Sequence, residues 1–382
     1  MVCGRFLNRH QVLSHTASLS LAFFGYSTRM PLRKKIIRKP MEIGKVQSIL
    51  IRGVAIIMIV FYHFQYDMFG GSFLMERGQG VIAWIADSFV YIQQEPNAWI
   101  GFLMYFCFIG VNIFFVLSGY GLVKKYKDRE ILKTEDMLKQ SMKILIPYWL
   151  AHPIIHVVDW GLKTLQYQFG FIEYKTYFAG MHSFSQYIES FLVFPRWFNL
   201  EGALTFVGTW WFVGIIIQFY LLFPFLLKLF KKLKPIHALA VCVMISFVYR
   251  YIVSVATGSS PVGVNEADIF LFIMFPAKLS EFALGMYLAW ELESIKPKNS
   301  TLISIPLIIL GFIFLGNVQT MFISDFLFAF GGVMLVYTIT KPLKGFAKKV
   351  TFAIGEKSYL IYLYHEPTMK LILKFIFPNW IH

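Results

Sequence analysis

The chain has 382 residues, 57% of them hydrophobic and 15% charged, with a mean hydropathy of +0.60. That balance excludes an ordinary soluble globular domain and points to an all-α, polytopic transmembrane helical bundle whose first partner is the lipid bilayer. The net charge of +15 invites a nucleic-acid partner. Its basic residues, however, gather in alternate short loops, which is the bias of membrane topology, so no nucleic acid is expected.

Residues 1–47 form a basic arm with nine Lys or Arg, densest between 33 and 39. Such a segment beside a membrane is drawn to anionic headgroups. Its mildly apolar stretch, 17–26, is too short to span and lacks a clear cleavage site, and Met30 and Met41 are alternative starts. The rest, 48–382, reads as one integral membrane domain. Apolar runs fall at about 49–67, 99–122, 144–162, 210–229, 236–256, 269–290, 301–317, 321–340 and 357–377. Two weaker segments, 80–93 and 186–199, are short or re-entrant. Ten spans are expected, with nine to eleven as bounds. Loop 123–143 carries seven Lys or Arg and loop 68–98 only Arg77, which places the N-terminus in the cytoplasm of a multi-pass plasma-membrane protein.

The first span, SILIRGVAIIMIVFYHFQYD (48–67), holds Arg52 at its entrance and His63 deep inside. Eleven residues of helix turn through about three whole turns and rise about 16 Å, so both side chains share one face, with apolar Ala55, Ile56 and Ile59 between them. Ionisable groups inside a span are costly and face a protein interior or a water-filled cavity. An Arg at the mouth can hold an anion, and a His at mid-depth can move a proton or simply bond a neighbouring helix. Asp67 follows four residues later on the same face and is placed to fix the imidazole tautomer, although it lies near the boundary, where charge is cheap.

Further along, GVNIFFVLSGYG (110–121) puts Asn112 on an apolar helix and offers Ser118 beside Gly119, a pattern that also serves plain helix packing. Lys139 and Lys143 stand one turn apart at the cytoplasmic end of the next span and can either hold a polyphosphate or serve topology. Gln218 and Tyr220 are polar groups within the span that begins at Trp210 and Trp211. Lys278 and Glu281, three apart, can form a structural ion pair or line a ligand site. The last span carries Ser358, Tyr362, His365 and Glu366, followed by Pro367, which releases backbone groups near a second intramembrane His. Cys3, Cys107 and Cys242 are far apart and show neither metal spacing nor a disulfide framework, so no metal is expected.

Three of these blocks, in order, resemble the acyltransferase-3 family of integral membrane acyltransferases over about residues 46–377. They are an Arg, ten residues and a His in 52–63, GVNIFFVLSG (110–119), and SYLIYLYHEP (358–367). The resemblance implies transfer of an acyl group, usually acetyl from acetyl-CoA, to a sugar hydroxyl of a cell-envelope glycan or another glycoside. It implies that Arg52, with Lys139 and Lys143, engages the donor. It implies that His63 is a general base or a transient acyl carrier; Asn112, Ser118, Tyr220, Lys278, Glu281 and His365 are candidates for substrate contact or structural support. The chain departs from the family pattern in having Asn112 where Asp is frequent, Lys139 or Gln140 and Lys143 where two Arg are usual, Ile216 where Glu is common, and Lys278 where Arg is common. Lys is the weaker bidentate clamp for phosphate. Polytopic architecture with buried His and Lys/Glu groups also suits a proton-coupled transporter or flippase of a sugar or lipid, although no inverted repeat is visible. A non-catalytic membrane assembly or sensory role is the third reading.

Overall fold

The computed structural model describes residues 42–75, 79–95, 97–170, 184–193, 207–257, 274–292, 299–316 and 320–376. Most of the expected basic arm lies outside them. Every regular element among the described residues is helical. In chain order they are α1 (Lys45–Phe69), α2 (Val81–Gln94), α3 (Ala98–Tyr105), α4 (Ile109–Tyr126), α5 (Thr134–Gln168), α6 (Phe184–Leu192), α7 (Trp211–Lys232) and α8 (Pro235–Thr257). Then come α9 (Leu279–Glu291), α10 (Asn299–Leu315), α11 (Met321–Thr340), α12 (Gly345–Glu356) and α13 (Ser358–Ile376). Single 3-10 turns join α3 to α4 and lead into α7 and α9.

Among the described residues five helical stretches are long and apolar enough to cross a membrane: Lys45–Phe69, Ala98–Tyr126, Gly208–Lys232, Pro235–Val253 and Ile323–Thr340. The ten expected spans are therefore met only in part. The run 144–162 is the middle of α5, a 35-residue helix that starts in charged sequence and contains Pro147 and Pro153. The run 269–290 resolves into a 3-10 turn and the 13-residue α9, and its start lies outside the described residues. The weak segment 80–93 is the 14-residue α2, about 21 Å long and too short to span. Only 186–193 of the other weak segment is described, and α6 supplies nine residues there. The charged stretch 341–349, which its lysines mark in the sequence as an internal loop between apolar runs, leads into the helix α12. Its apolar Phe346, Val350 and Ile354 recur at helical spacing between the lysines.

The basic segments meet at one end of the bundle. Lys231 Nζ donates to Arg129 O (2.6 Å), and Gln47 Nε2 donates to Thr340 Oγ1 (2.6 Å). Charges there complement the helix dipoles. Glu135 and Asp136 open α5, while Lys124 and Lys125 close α4 and Lys231 and Lys232 close α7.

Small residues set the tightest crossings. A Cβ on Gly285 of α9 would strike the Val116 carbonyl of α4 and come within 2.9 Å of Tyr120 N, and one on Gly119 would strike Phe282 O in return. Contact this close brings backbone against backbone, which is how membrane helices gain packing without a hydrophobic drive. Gly53 of α1 and Gly355 of α12 make a second crossing of the same kind.

Buried charge locks the far side. Asp325 of α11 accepts from Arg250 of α8 and from Lys278 Nζ (2.6 Å), and Lys278 also lies 3.4 Å from Glu281 Oε1. Ser280 Oγ donates to Glu281 Oε2 (2.7 Å). The Lys278–Glu281 pair is thus one edge of a four-charge network of net zero charge, which is the condition under which ions are tolerated in low dielectric.

Candidate active site

α1 and α13 supply the centre. The carbonyl of Ile59 accepts a hydrogen bond from His63 Nδ1 (2.8 Å). A carbonyl can only accept, so the proton of neutral His63 is on Nδ1 and Nε2 keeps its lone pair. By the same argument Tyr362 O accepts from His365 Nδ1 (2.7 Å), which leaves His365 Nε2 bare. That bare nitrogen lies 3.3 Å from His63 Nδ1, with the rings edge-on at 5.0 Å. His63 Nδ1–H is thus shared between Ile59 O and His365 Nε2. Among the described residues no hydrogen bond joins His63 to Asp67, so the contact expected of Asp67 is made by these two groups. Asp67 Oδ2 is itself buried without a hydrogen-bond partner among the described residues.

The 3-10 turn before α7 fastens α13. Thr209 N donates to Glu366 Oε2 (3.0 Å), Tyr362 OH donates to Thr209 O, and Lys370 Nζ donates to Glu366 Oε1 (2.5 Å). Pro367 has no N–H for the carbonyl four residues back, which is that of Leu363. Trp210 Nε1 donates to this carbonyl instead (3.1 Å). The backbone group that Pro367 was expected to release is thus the one that anchors α7, one turn from His365.

Beneath the two imidazoles runs a narrow cavity of about 140 Å³. Arg52, Ser118, Tyr220, Ser358, Tyr359 and Tyr362 line it with the apolar side chains of Ile59, Val111, Phe114, Ile144, Phe212 and Ile216; two of these matter for the pair above, Ile59 and Tyr362. These last two are the carbonyl acceptors of His63 and His365, so the cavity stretches from Arg52 to within one helical turn of the histidine pair. Arg52 Nε is buried without a hydrogen-bond partner among the described residues. Tyr359 OH donates to Ile144 O (2.8 Å) and ties α13 to α5 across the wall.

The structure thus brings together Arg52, His63, Ser118, Tyr220 and His365, with Asp67 one turn beyond His63. It does not bring Lys139 and Lys143 into the Arg52 cavity. Both are exposed and line a separate open depression with Lys125, Arg129, Glu135 and Gln140. Asn112 is buried on α4, and Lys278 and Glu281 belong to the charge network. Sequence reasoning passed over Arg250 and Asp325, although each is an isolated charge in an apolar run. It also missed Thr209, for which the sequence holds no signal.

The chain belongs to the acyltransferase-3 family. The family's profile, described as an acyltransferase domain, matches residues 47–382. The chain is similar to the O-acetyltransferase OatA of Staphylococcus aureus (strain NCTC 8325 / PS 47), 26% identical over 296 residues, covering 69% of this chain and 46% of that protein. It is similar also to the putative O-acetyltransferase SACOL0978 of S. aureus strain COL, 25% identical over 312 residues with the same shares. The chain thus spans less than half the length of these curated relatives. No solved structure matches it significantly.

Proposed function

We propose that the protein is a membrane-bound O-acyltransferase that moves an acyl group, acetyl from acetyl-CoA, onto a hydroxyl of a cell-envelope glycan or other sugar acceptor. The observation that carries this reading is the cavity joining Arg52 to the floor of the His63–His365 pair. Its volume, about 140 Å³, is close to that of a cavity that takes up one benzene ring. That admits the thin end of a pantetheine arm and leaves the nucleotide at the basic mouth. The unpartnered Arg52 Nε suits an anionic or carbonyl group of the donor. The names of the S. aureus relatives support O-acetyl transfer.

The chemistry follows from the tautomer. His63 Nε2 takes the proton of the acceptor hydroxyl as its oxygen attacks the thioester carbonyl. The C–S bond breaks, the thiolate leaves as the new ester forms, and His63 returns the proton to sulfur. His365 Nε2 accepts the Nδ1–H throughout and so supports the imidazolium. Transient acylation of Nε2 would use the same lone pair and is recognised by acyl-protein that accumulates without acceptor. The charge pattern supports a plasma-membrane protein with its basic end, and the donor, in the cytoplasm.

The test uses membranes containing the protein, radiolabelled acetyl-CoA and an extract of host glycans and lipid-linked sugars, followed for label in base-labile esters. Label that depends on the protein supports the proposal and tags the acceptor. Neither incorporation nor acyl-CoA binding would put the transporter reading first.

A further inference from the structure

Among the described residues nothing covers one face of helix α12. It packs on α1 through one side only, where Gly53 meets the Thr351 carbonyl and lies close to Gly355 N, a Cβ there standing 3.2 Å away. On the opposite side Phe346, Val350 and Ala353 recur at intervals of four and three and are all exposed, Phe346 to 82%. Around them Lys341, Lys344, Lys348, Lys349 and Lys357 are exposed against a single carboxylate, Glu356. Four residues separate α12 from α11 and one from α13, so these short tethers hold it at the basic end of the bundle. A short helix with a Phe-bearing apolar stripe and a lysine-rich flank has the chemistry of one that lies in an anionic membrane interface. Like charge argues against the other obvious occupants. The segment 33–39 brings five Lys or Arg of its own, and a second copy of this face would bring five lysines.

α12 is also joined to the candidate donor cavity at its C-terminal end. Gly53 is next to Arg52, and Ser358 and Tyr359, directly after α12, line the cavity. We propose that α12 docks on anionic lipid headgroups as an interfacial helix and that this docking holds the Arg52–Ser358 end of the cavity in its donor-binding form. The second half of the proposal rests on the donor reading above; the first does not.

The experiment places the full chain in nanodiscs of phosphatidylcholine alone or with about a third phosphatidylglycerol. A bimane label at Phe346→Cys, with Cys3 and Cys107 replaced by serine, is read for quenching by brominated phosphatidylcholine. Acyl-CoA affinity is measured in parallel on the unlabelled chain. Phosphatidylglycerol is expected to increase quenching and to tighten acyl-CoA binding by roughly fivefold or more, with both effects lost in Lys344→Gln/Lys348→Gln/Lys349→Gln. Quenching that ignores phosphatidylglycerol, or that survives the triple substitution, overturns the docking. Lipid-dependent quenching with unchanged acyl-CoA affinity overturns the link to the cavity. Lipid-dependent quenching with no acyl-CoA binding in any disc keeps the docking and instead refutes the donor reading.

Discussion

His63 Nδ1 and His365 Nε2 lie 3.3 Å apart across α1 and α13, and two carbonyls, those of Ile59 and Tyr362, fix the tautomer of each ring. The pair is separated by 302 residues of sequence, yet its geometry dictates which nitrogen of His63 is free to react.

Replacing His63 removes that nitrogen. His63→Ala is expected to lower transfer by about 10²–10⁴-fold, the range of a lost general base. The protein should stay folded, because His63 is only partly buried. Transfer rate and detergent-resistant monodispersity, measured together, check both halves.

In the proposed mechanism His365 acts through His63. His365→Leu leaves the Ile59 carbonyl to hold Nδ1–H, so a smaller loss is expected, on the order of tenfold, borne by kcat while KM for the donor is kept. A KM effect instead would mean that His365 contacts substrate.

Arg52 and the lysine pair Lys139/Lys143 line different depressions. Arg52→Ala should therefore weaken acyl-CoA binding more than Lys139→Ala/Lys143→Ala does. Equilibrium binding of a fluorescent acyl-CoA decides this, and the opposite order would place the donor's anionic part on α5.

Asp325 neutralises two cations. Asp325→Leu leaves Arg250 and Lys278 buried without their shared carboxylate and is expected to destabilise the fold by about 3–5 kcal/mol. Adding Lys278→Met should recover part of that loss. Thermal unfolding in detergent measures both, and a neutral Asp325→Leu would make the network dispensable.

Gly285→Ala tests the closest crossing. Its Cβ would strike the Val116 carbonyl, so α4 and α9 must part, at a cost of about 1–3 kcal/mol. Because α4 carries Ser118 on the cavity wall, acyl-CoA affinity should fall as well.

What could be read from the sequence was what one helix encodes by itself. Arg52 and His63 share a face because eleven residues make three turns, and no tertiary information is needed for that. Pro367 likewise announced a released carbonyl, but its partner Trp210 lies 153 residues away from Leu363, and spacing cannot supply such a pairing. Asp67 looked like the partner of His63 because i and i+4 are the only neighbours a sequence reveals; the partner is His365. α12 read as a loop because its lysines outweigh Phe346 and Val350 in composition. The ten-span expectation came from counting apolar runs. Those runs include α5, a continuous 35-residue helix that carries charges and two prolines, and α9, which is 13 residues long.

The central claim is that Arg52 holds the donor in the cavity and that His63, one helical turn beyond its Ile59 wall, performs the transfer. The most direct measurement compares acyl-CoA binding and acyl transfer for the purified wild type, Arg52→Ala and His63→Ala. The account predicts that His63→Ala still binds acyl-CoA but does not transfer, whereas Arg52→Ala loses binding. Near-normal transfer by His63→Ala, or unchanged affinity in Arg52→Ala, would contradict it.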